Sequence, residues 1–300
     1  MRQKNAVRET RGDRITLAVI YFILGLIGVV TLYPVIYVLS ASVSDPTAVN
    51  SGQVLLWPVG LHFEGYRYIF ENNWVLIGYR NSTLYTFFGT LLNLAVTFTA
   101  AYALSRRDMW GRSVVSVYML LPMWFSGGLI PTFLVVNRLG LVNQPYTLVV
   151  LGAISMYNCV ICRTFIQSSI PLELQEAARI DGCNDFGIVL KIVLPLSKPV
   201  LAILALYYGL GHWNDYFNAL IYVNDRTLQP LQTFLRLILI LNEELDMSDV
   251  TQLESAMYRA YMAQIMRYGL IVVASLPMLV VYPFVQRYFM QGVMIGALKG

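Results

Sequence analysis

The sequence predicts an all-α, polytopic membrane protein with six transmembrane helices. Three observations carry that prediction. The 300-residue chain is 57% hydrophobic but only 13% charged, with a mean hydropathy of +0.59. A soluble domain carries about 25% charged residues, because its surface needs them. Six stretches are long and apolar enough to cross a hydrocarbon core about 30 Å thick, a distance that takes about 20 helical residues. Lys and Arg are distributed unevenly between the segments that connect them.

The first span runs from Ile15 to Leu39, behind a basic tail of Arg2, Lys4, Arg8, Arg11 and Arg14. A secretory signal also pairs basic residues with an apolar run, and Ser40-Ala41-Ser42 resembles a cleavage site, but an h-region covers only about 7–15 residues. The run is read as a retained helix. The second span covers Leu84–Leu104 and stops at Ser105-Arg106-Arg107-Asp108. The third, Val114–Val136, contains Pro122, Gly127, Gly128 and Pro131, which predict a kinked or interrupted helix. The fourth covers Tyr146–Ile166, the fifth Val200–Val223 and the sixth Tyr268–Phe289.

Orientation follows from the cations. With the N-terminus inside, the inner segments hold fourteen Lys and Arg and the outer segments seven: Arg67, Arg80, Arg138, Arg226, Arg236, Arg259 and Arg267. The outer side also receives Glu243, Glu244, Asp246, Asp249 and Glu254. The positive-inside rule therefore places both termini in the cytoplasm. Two outer segments are long, Ser42–Tyr79 and Asn224–Arg267, and the second holds a short apolar helix expected to begin near Pro230. The net charge of +4 reads as topology charge, since no basic patch interleaves with aromatics as a nucleic-acid surface would. Cys159 and Cys162 have the C-x-x-C spacing of a redox or metal pair. Without a second such pair or a His cluster, they read as small apolar residues on one face of a buried helix.

The connection between spans four and five, 167–199, is too polar to span and too patterned for a floppy loop. Pro171 suits a first helical turn and Glu173 its positive end. Glu176-Ala177-Ala178-Arg179-Ile180 continues the helix, Gly182 suits its stop, and a second short helix fits Phe186–Val193, closed by Leu194-Pro195. The result is a helix–Gly–helix elbow on the cytoplasmic face. Ala177 and Ala178 let another surface approach closely, and Glu176 and Arg179, one turn apart, suit pairing with each other or with a partner. Without further information, an amphipathic helix lying on lipid headgroups fits the same pattern.

The elbow resembles a family. Permeases of ATP-binding-cassette (ABC) importers share E-A-A, three residues, G, nine residues, I, one residue, L-P. Here Glu176, Ala177, Ala178, Gly182, Ile192, Leu194 and Pro195 match it at every fixed position and spacing. With Arg179 and Asp181 they form the segment that the resemblance implies is the coupling (EAA) helix, seated on a separate ATPase subunit. Asp181-Gly182, Trp213-Asn214-Asp215, Gln286-Arg287-Tyr288-Phe289 with Gly292, and Gly296-Ala297-Leu298-Lys299-Gly300 look like the carbohydrate subfamily and resemble its smaller maltose-type permease subunit. Tyr282-Pro283-Phe284 through Gly292-Val293-Met294-Ile295-Gly296 looks closer still to the LplC-like branch.

The resemblance implies a MetI-like permease core over 79–287. Before it come a cytoplasmic tail, 1–14, and a first helix with its long outer loop, 15–78; a cytoplasmic tail, 288–300, follows. It further implies a bacterial inner-membrane location, a second homologous permease, an ATPase pair and an external solute-binding protein. No cofactor is expected on this chain, because ATP would be bound by the partner, and the sequence lacks a G-x-x-x-x-G-K-[ST] loop.

Trp213, Asn214 and Asp215, with Tyr207 and Tyr208, are the candidate solute pathway. An ionisable group at membrane depth is costly, and Asn and Asp suit hydroxyl-rich ligands. The alternative is an interhelical polar cluster that sets packing. Other aromatics worth inspecting are Tyr85 and Tyr157, although an interfacial belt accounts for rings equally well. Two other functions compete with the permease: a transporter driven by an ion gradient through Asp215, and an intramembrane enzyme using His212 and Asp215. No internal repeat encourages the first, and no partner nucleophile stands out for the second.

Overall fold

The computed structural model describes residues 11–241 and 250–297. Arg2, Lys4, Arg8, Glu243, Glu244, Asp246, Asp249 and the final Leu298-Lys299-Gly300 lie outside them, as do the side chains of Glu254, Arg259 and Arg287. Every regular element among the described residues is helical. They group into two compact units, one formed by 1–71 with 241–272 and the other by 72–240 with 273–300.

In the first unit, α1 (Arg11–Ser42) is a 32-residue helix whose large apolar side chains from Ile15 to Leu39 are exposed along its length. An apolar surface on all sides suits a lipid solvent, and the predicted first span is present. Beyond it, serine hydroxyls fasten the next segment to the helix end. Ser40 Oγ donates to Leu56 O at 2.6 Å, and Val59 N donates to Ser44 Oγ at 3.1 Å. α2 (Pro46–Asn50) is capped by Asp45, whose Oδ1 accepts from Thr47 N and Thr47 Oγ1. These two bonds hold the Asp45 carboxyl below the usual carboxylate range. α3 (Glu64–Glu71) follows. The N-terminal part of α15 (Val250–Ala297) joins this unit, where Tyr37 and Tyr268 meet edge to face at 5.9 Å.

The second unit is built on α4 (Asn73–Ser105), α8 (Met156–Ser169) and α12 (Lys198–Trp213), with α8 and α12 both packed against α4. α4 begins eleven residues before the predicted Leu84. The polar residues that read as loop serve the helix instead. Asn81 Nδ2 donates to Thr227 O at 2.7 Å and Gln229 O at 3.1 Å, Leu231 N donates to Ser82 Oγ at 2.9 Å, and Tyr85 OH donates to Leu228 O at 2.8 Å. They tie down the connector that leads into α14 (Leu231–Leu241), the helix expected near Pro230.

The third predicted span is interrupted as its Pro and Gly content required. It forms α5 (Arg112–Trp124) and α6 (Leu129–Arg138), bent by 119°. The fourth is shorter than predicted, because the four-residue α7 (Thr147–Val150) ends before Gly152 and α8 starts at Met156. At 14 residues, α8 extends about 21 Å. The fifth breaks at Asn214 and resumes as α13 (Phe217–Tyr222). Among the described residues three single helices are long and apolar enough to cross a membrane, and two bent pairs raise the number to five.

Candidate functional site

The elbow starts with α9 (Leu172–Ile180), preceded by Pro171 in extended backbone and carrying Glu173 in its first turn. Its stop is a Schellman motif. Gly182 N donates to Arg179 O at 3.1 Å and Cys183 N to Ala178 O at 2.9 Å, with Gly182 at φ +81°. An L-residue with a Cβ is strained at that angle, so the glycine is required by the turn itself. Asn184 then caps α10 (Asp185–Ile188) by accepting from Gly187 N at 2.7 Å.

The second helix does not close at Leu194-Pro195 as expected. It passes through a wide π turn, Val189–Val193, into α11 (Leu194–Leu196), and the chain bends by 76° into α12. Proline lacks an N–H and its ring crowds the carbonyl four residues earlier, which is Lys191 inside that turn. Widening the turn accommodates Pro195 without ending the helix.

One face of the elbow is sealed into the molecule. Ala178, Ile188 and Val193 are buried in the same core as Leu104 of α4, Cys162 and Ile166 of α8, and Val200 and Leu204 of α12, with Ile192 and Leu194 packed against it. Buried Gln175 accepts from Arg106 Nη1 at 3.3 Å, and Gln167 Nε2 donates to Ser105 O at 3.2 Å. Arg106 also grips Asp108 through two bonds, of 2.9 and 2.6 Å. Those bonds hold the Asp108 carboxyl below the usual carboxylate range and push the Arg106 guanidinium further up.

The other face is open. Ile180 is 87% exposed and Phe186 72%, with Glu176 and Ala177 beside them on the solvent side. Two sequence expectations are corrected here. Ala178 points inward, so its small side chain serves the core and only Ala177 is free for close approach. Arg179 pairs with Asp185 at 2.6 Å, not with Glu176, because the Gly182 turn brings α10 back past the end of α9. Glu176 forms no ion pair among the described residues. Sequence reasoning missed Ile180, Phe186 and Asp185. Large apolar residues flanking a Gly stop on a polar elbow were the available signal.

The candidate solute pathway is dispersed. Trp213 is buried, donates from Nε1 to Ala274 O at 2.8 Å and meets Tyr79 edge to face at 5.6 Å. Tyr208 is buried while its neighbour Tyr207 is exposed. Asn214 donates to Leu210 O at 2.9 Å. Asp215 accepts from Asn218 N at 3.1 Å and from Asn218 Nδ2 at 2.9 Å, so both carboxylate oxygens are engaged at the start of α13. Both bonds reach only three residues along the chain, and neither crosses to another helix. Of the other aromatics, Tyr157 is exposed and Tyr85 is held by Leu228.

A polar cluster joins α4, α12 and the break between α7 and α8; its Asn93, Thr97 and Ser155 were not singled out in the sequence, whereas His212 and Tyr208 were. Asn93 of α4 is fully buried, donates to Gly152 O at 2.7 Å and has Oδ1 2.6 Å from His212 Nε2. Since that oxygen only accepts, His212 carries its proton on Nε2. Ser155 N donates to Tyr208 OH at 3.2 Å, which also bonds Thr97 Oγ1 at 2.6 Å. A Cβ at Gly89 would collide with the His212 ring, so the glycine makes room for the imidazole. These bonds supply partners for the non-helical backbone between α7 and α8, which the membrane interior demands. His212 is thereby held by a structural partner within the helices.

The chain as a whole is similar to known proteins. Residues 75–293 match the family model described as a binding-protein-dependent transport system inner membrane component. Protein LplC of Bacillus subtilis is 36% identical over 300 residues, covering all of both chains. The polygalacturonan/rhamnogalacturonan transport system permease protein YtcP of the same organism is 38% identical, over 94% of this chain and 97% of that one. A solved bacterial ABC transporter involved in the import of the acidic polysaccharide alginate contains a chain with a TM-score of 0.84 and 33% identity, over 94% of this chain and 99% of that one.

Proposed function

The chain belongs to the family of binding-protein-dependent transport system inner membrane components, and from that premise we propose that it forms the path for a carbohydrate of oligosaccharide size, driven by an ATPase on a separate subunit. Its membership makes it a multi-pass permease of a transport family. The substrate class is supported by relatives named for polygalacturonan and rhamnogalacturonan, for arabinooligosaccharides and for alginate. The working assembly pairs this permease with a second homologous one, an ATPase pair and an external solute-binding protein. Both termini and the elbow lie on the cytoplasmic side.

The observation that carries the coupling role is the two-faced elbow. Its inner face is continuous with the packing of α4, α8 and α12, so displacement of the elbow moves those helices with it. Its outer face presents Glu176, Ala177, Ile180 and Phe186 to a partner. Closure of an ATPase dimer shifts the permease between outward and inward access only if the partner grips the two states differently. A seat on the elbow supplies that differential contact. Glu176, Ala177, Arg179, Asp181 and Gly182 form the seat, while Ala178, Ile192, Leu194 and Pro195 set the angle at which it is held.

The test is saccharide uptake into proteoliposomes containing the complete importer and its binding protein, with ATP hydrolysis read in parallel. Gly182→Trp is expected to abolish uptake while α4, α8 and α12 stay folded, and collapsing ion gradients is expected to leave wild-type uptake unchanged. Full uptake by Gly182→Trp, or uptake lost with the gradient, removes the reading. The gradient-driven alternative is not favoured, because the family is one of binding-protein-dependent transport systems.

A further inference from the structure

Three arginines that neither the elbow nor the packing core uses surround one cavity beside the α4–α5 turn. It is an open cleft of about 560 Å³ lined by Arg107, Arg112 and Arg163, by Ser116, and by Val114 and Val117, with no acidic side chain in its wall. Arg107 and Arg112 form no ion pair among the described residues. The nearest carboxylate in sequence, Asp108, is occupied by Arg106. Arg163 reaches the cavity from α8. Its Nη1 lies 3.4 Å from Ser116 Oγ, and its Nε is buried without a partner. A buried guanidinium nitrogen left unsatisfied is rare and asks for a ligand.

Three arginines lining one cleft whose wall holds no carboxylate select an anion, and the fork geometry of a guanidinium suits phosphate oxygens. The surroundings select which phosphate. The turn lies between the end of one apolar helix and the start of the next, at the level of a membrane surface. Trp110 is 96% exposed there, in the position of an interfacial anchor. Val114 and Val117 are 74% and 61% exposed along α5, leading away from the arginines. A charged end continuous with an exposed apolar track matches a headgroup with its acyl chain better than a free ion.

We propose that Arg107, Arg112 and Arg163 form a binding site for the phosphodiester of an anionic membrane lipid, with its acyl chain along Val114 and Val117. The site rests on the permease reading only for its leaflet, which would be the cytoplasmic one, where anionic lipids attract basic residues. Arg107 and Arg112 also border a second cleft at the root of the elbow, where Pro171, Leu172, Gln175 and the carboxylate-bearing Glu173 line the rest of the wall, with no ion pair to either arginine among the described residues. An occupied site therefore steadies the base of the coupling segment.

The test is native mass spectrometry of the full, delipidated importer, with lipid retention read on the mass of this chain. Dioleoyl-phosphatidylglycerol, dioleoyl-phosphatidylcholine and inorganic phosphate are added in separate arms. Phosphatidylglycerol is expected to be retained and phosphatidylcholine not. Arg107→Ala is expected to lower retention about fivefold and Arg107→Ala/Arg112→Ala about 25-fold, from the typical contribution of one basic residue near an anionic surface. Both side chains lie outside the packing core, so the variants should fold, and an unchanged unfolding temperature checks this. Arg163→Gln is the follow-up.

Equal retention of both lipids, or retention unaffected by the double variant, overturns the proposal. Millimolar phosphate that displaces the lipid assigns the site to a soluble anion instead. Failure of the importer reading appears separately, as absence of a co-purifying ATPase.

Discussion

The elbow and the end of α12 are both polar interruptions in an apolar chain, yet they treat their polar groups in opposite ways. Around α12, Trp213, Asn214, Asp215 and His212 each find a partner within the chain. At the elbow the inner face is equally well satisfied, but the outer face leaves Ile180, Phe186 and Glu176 open. Polar residues that find partners within the chain serve its own fold. Large apolar residues left outside on a rigid, capped turn specify something that docks. The type of residue is similar in the two places, and the difference lies in whether its needs are met at home.

Breaking the closed region should cost the fold most. Asn93→Leu leaves Gly152 O and His212 Nε2 without partners, and each buried orphan costs about 1–3 kcal/mol. The expected result is a loss of about 2–4 kcal/mol, read as a lower unfolding temperature of the purified importer, with the ATPase still attached in the fraction that remains folded. Breaking the open region should do the reverse. Ile180→Asp with Phe186→Ser is expected to leave unfolding unchanged and to weaken ATPase retention about 30-fold, the loss of about 2 kcal/mol typical of an interface anchor.

Finer changes sharpen the same contrast. Asp215→Asn keeps an acceptor for Asn218 N, so stability should move by less than about 0.5 kcal/mol and uptake should persist. A proton-carrying Asp215 would instead lose uptake outright. The smallest effect belongs to Asp108. Its carboxyl is held low by Arg106, so the pair persists above the ordinary carboxylate range and is lost only as pH falls through the depressed value. Elbow attachment measured between pH 5 and 8 should therefore stay flat. Asp108→Asn should change it little, since the pair is exposed and solvent screens it.

The sequence made the elbow legible because its signals are local. Pro171 and Gly182 fix where a helix starts and stops whatever surrounds them. The interruption within 114–136 was legible for the same reason. What escaped depends on distant partners. Asn81 and Ser82 looked like loop residues because the backbone they bind lies about 150 positions away. Asn93 was invisible because its role is to satisfy the break at Gly152, itself hidden within an apolar run. Asp215 drew attention by its charge, yet the partner it finds is three residues along, at the start of α13. Ala178 shows the limit of motif reading, since a matched position can serve the core rather than the interface.

The most direct test of the elbow's role is co-purification from detergent-solubilised membranes, comparing the intact chain with Glu176→Ala/Gly182→Trp. The account predicts that an ATPase and a second permease accompany the intact chain and that the ATPase is lost from the variant. An intact chain that purifies alone as a stable species, or a variant that retains the ATPase fully, would contradict it.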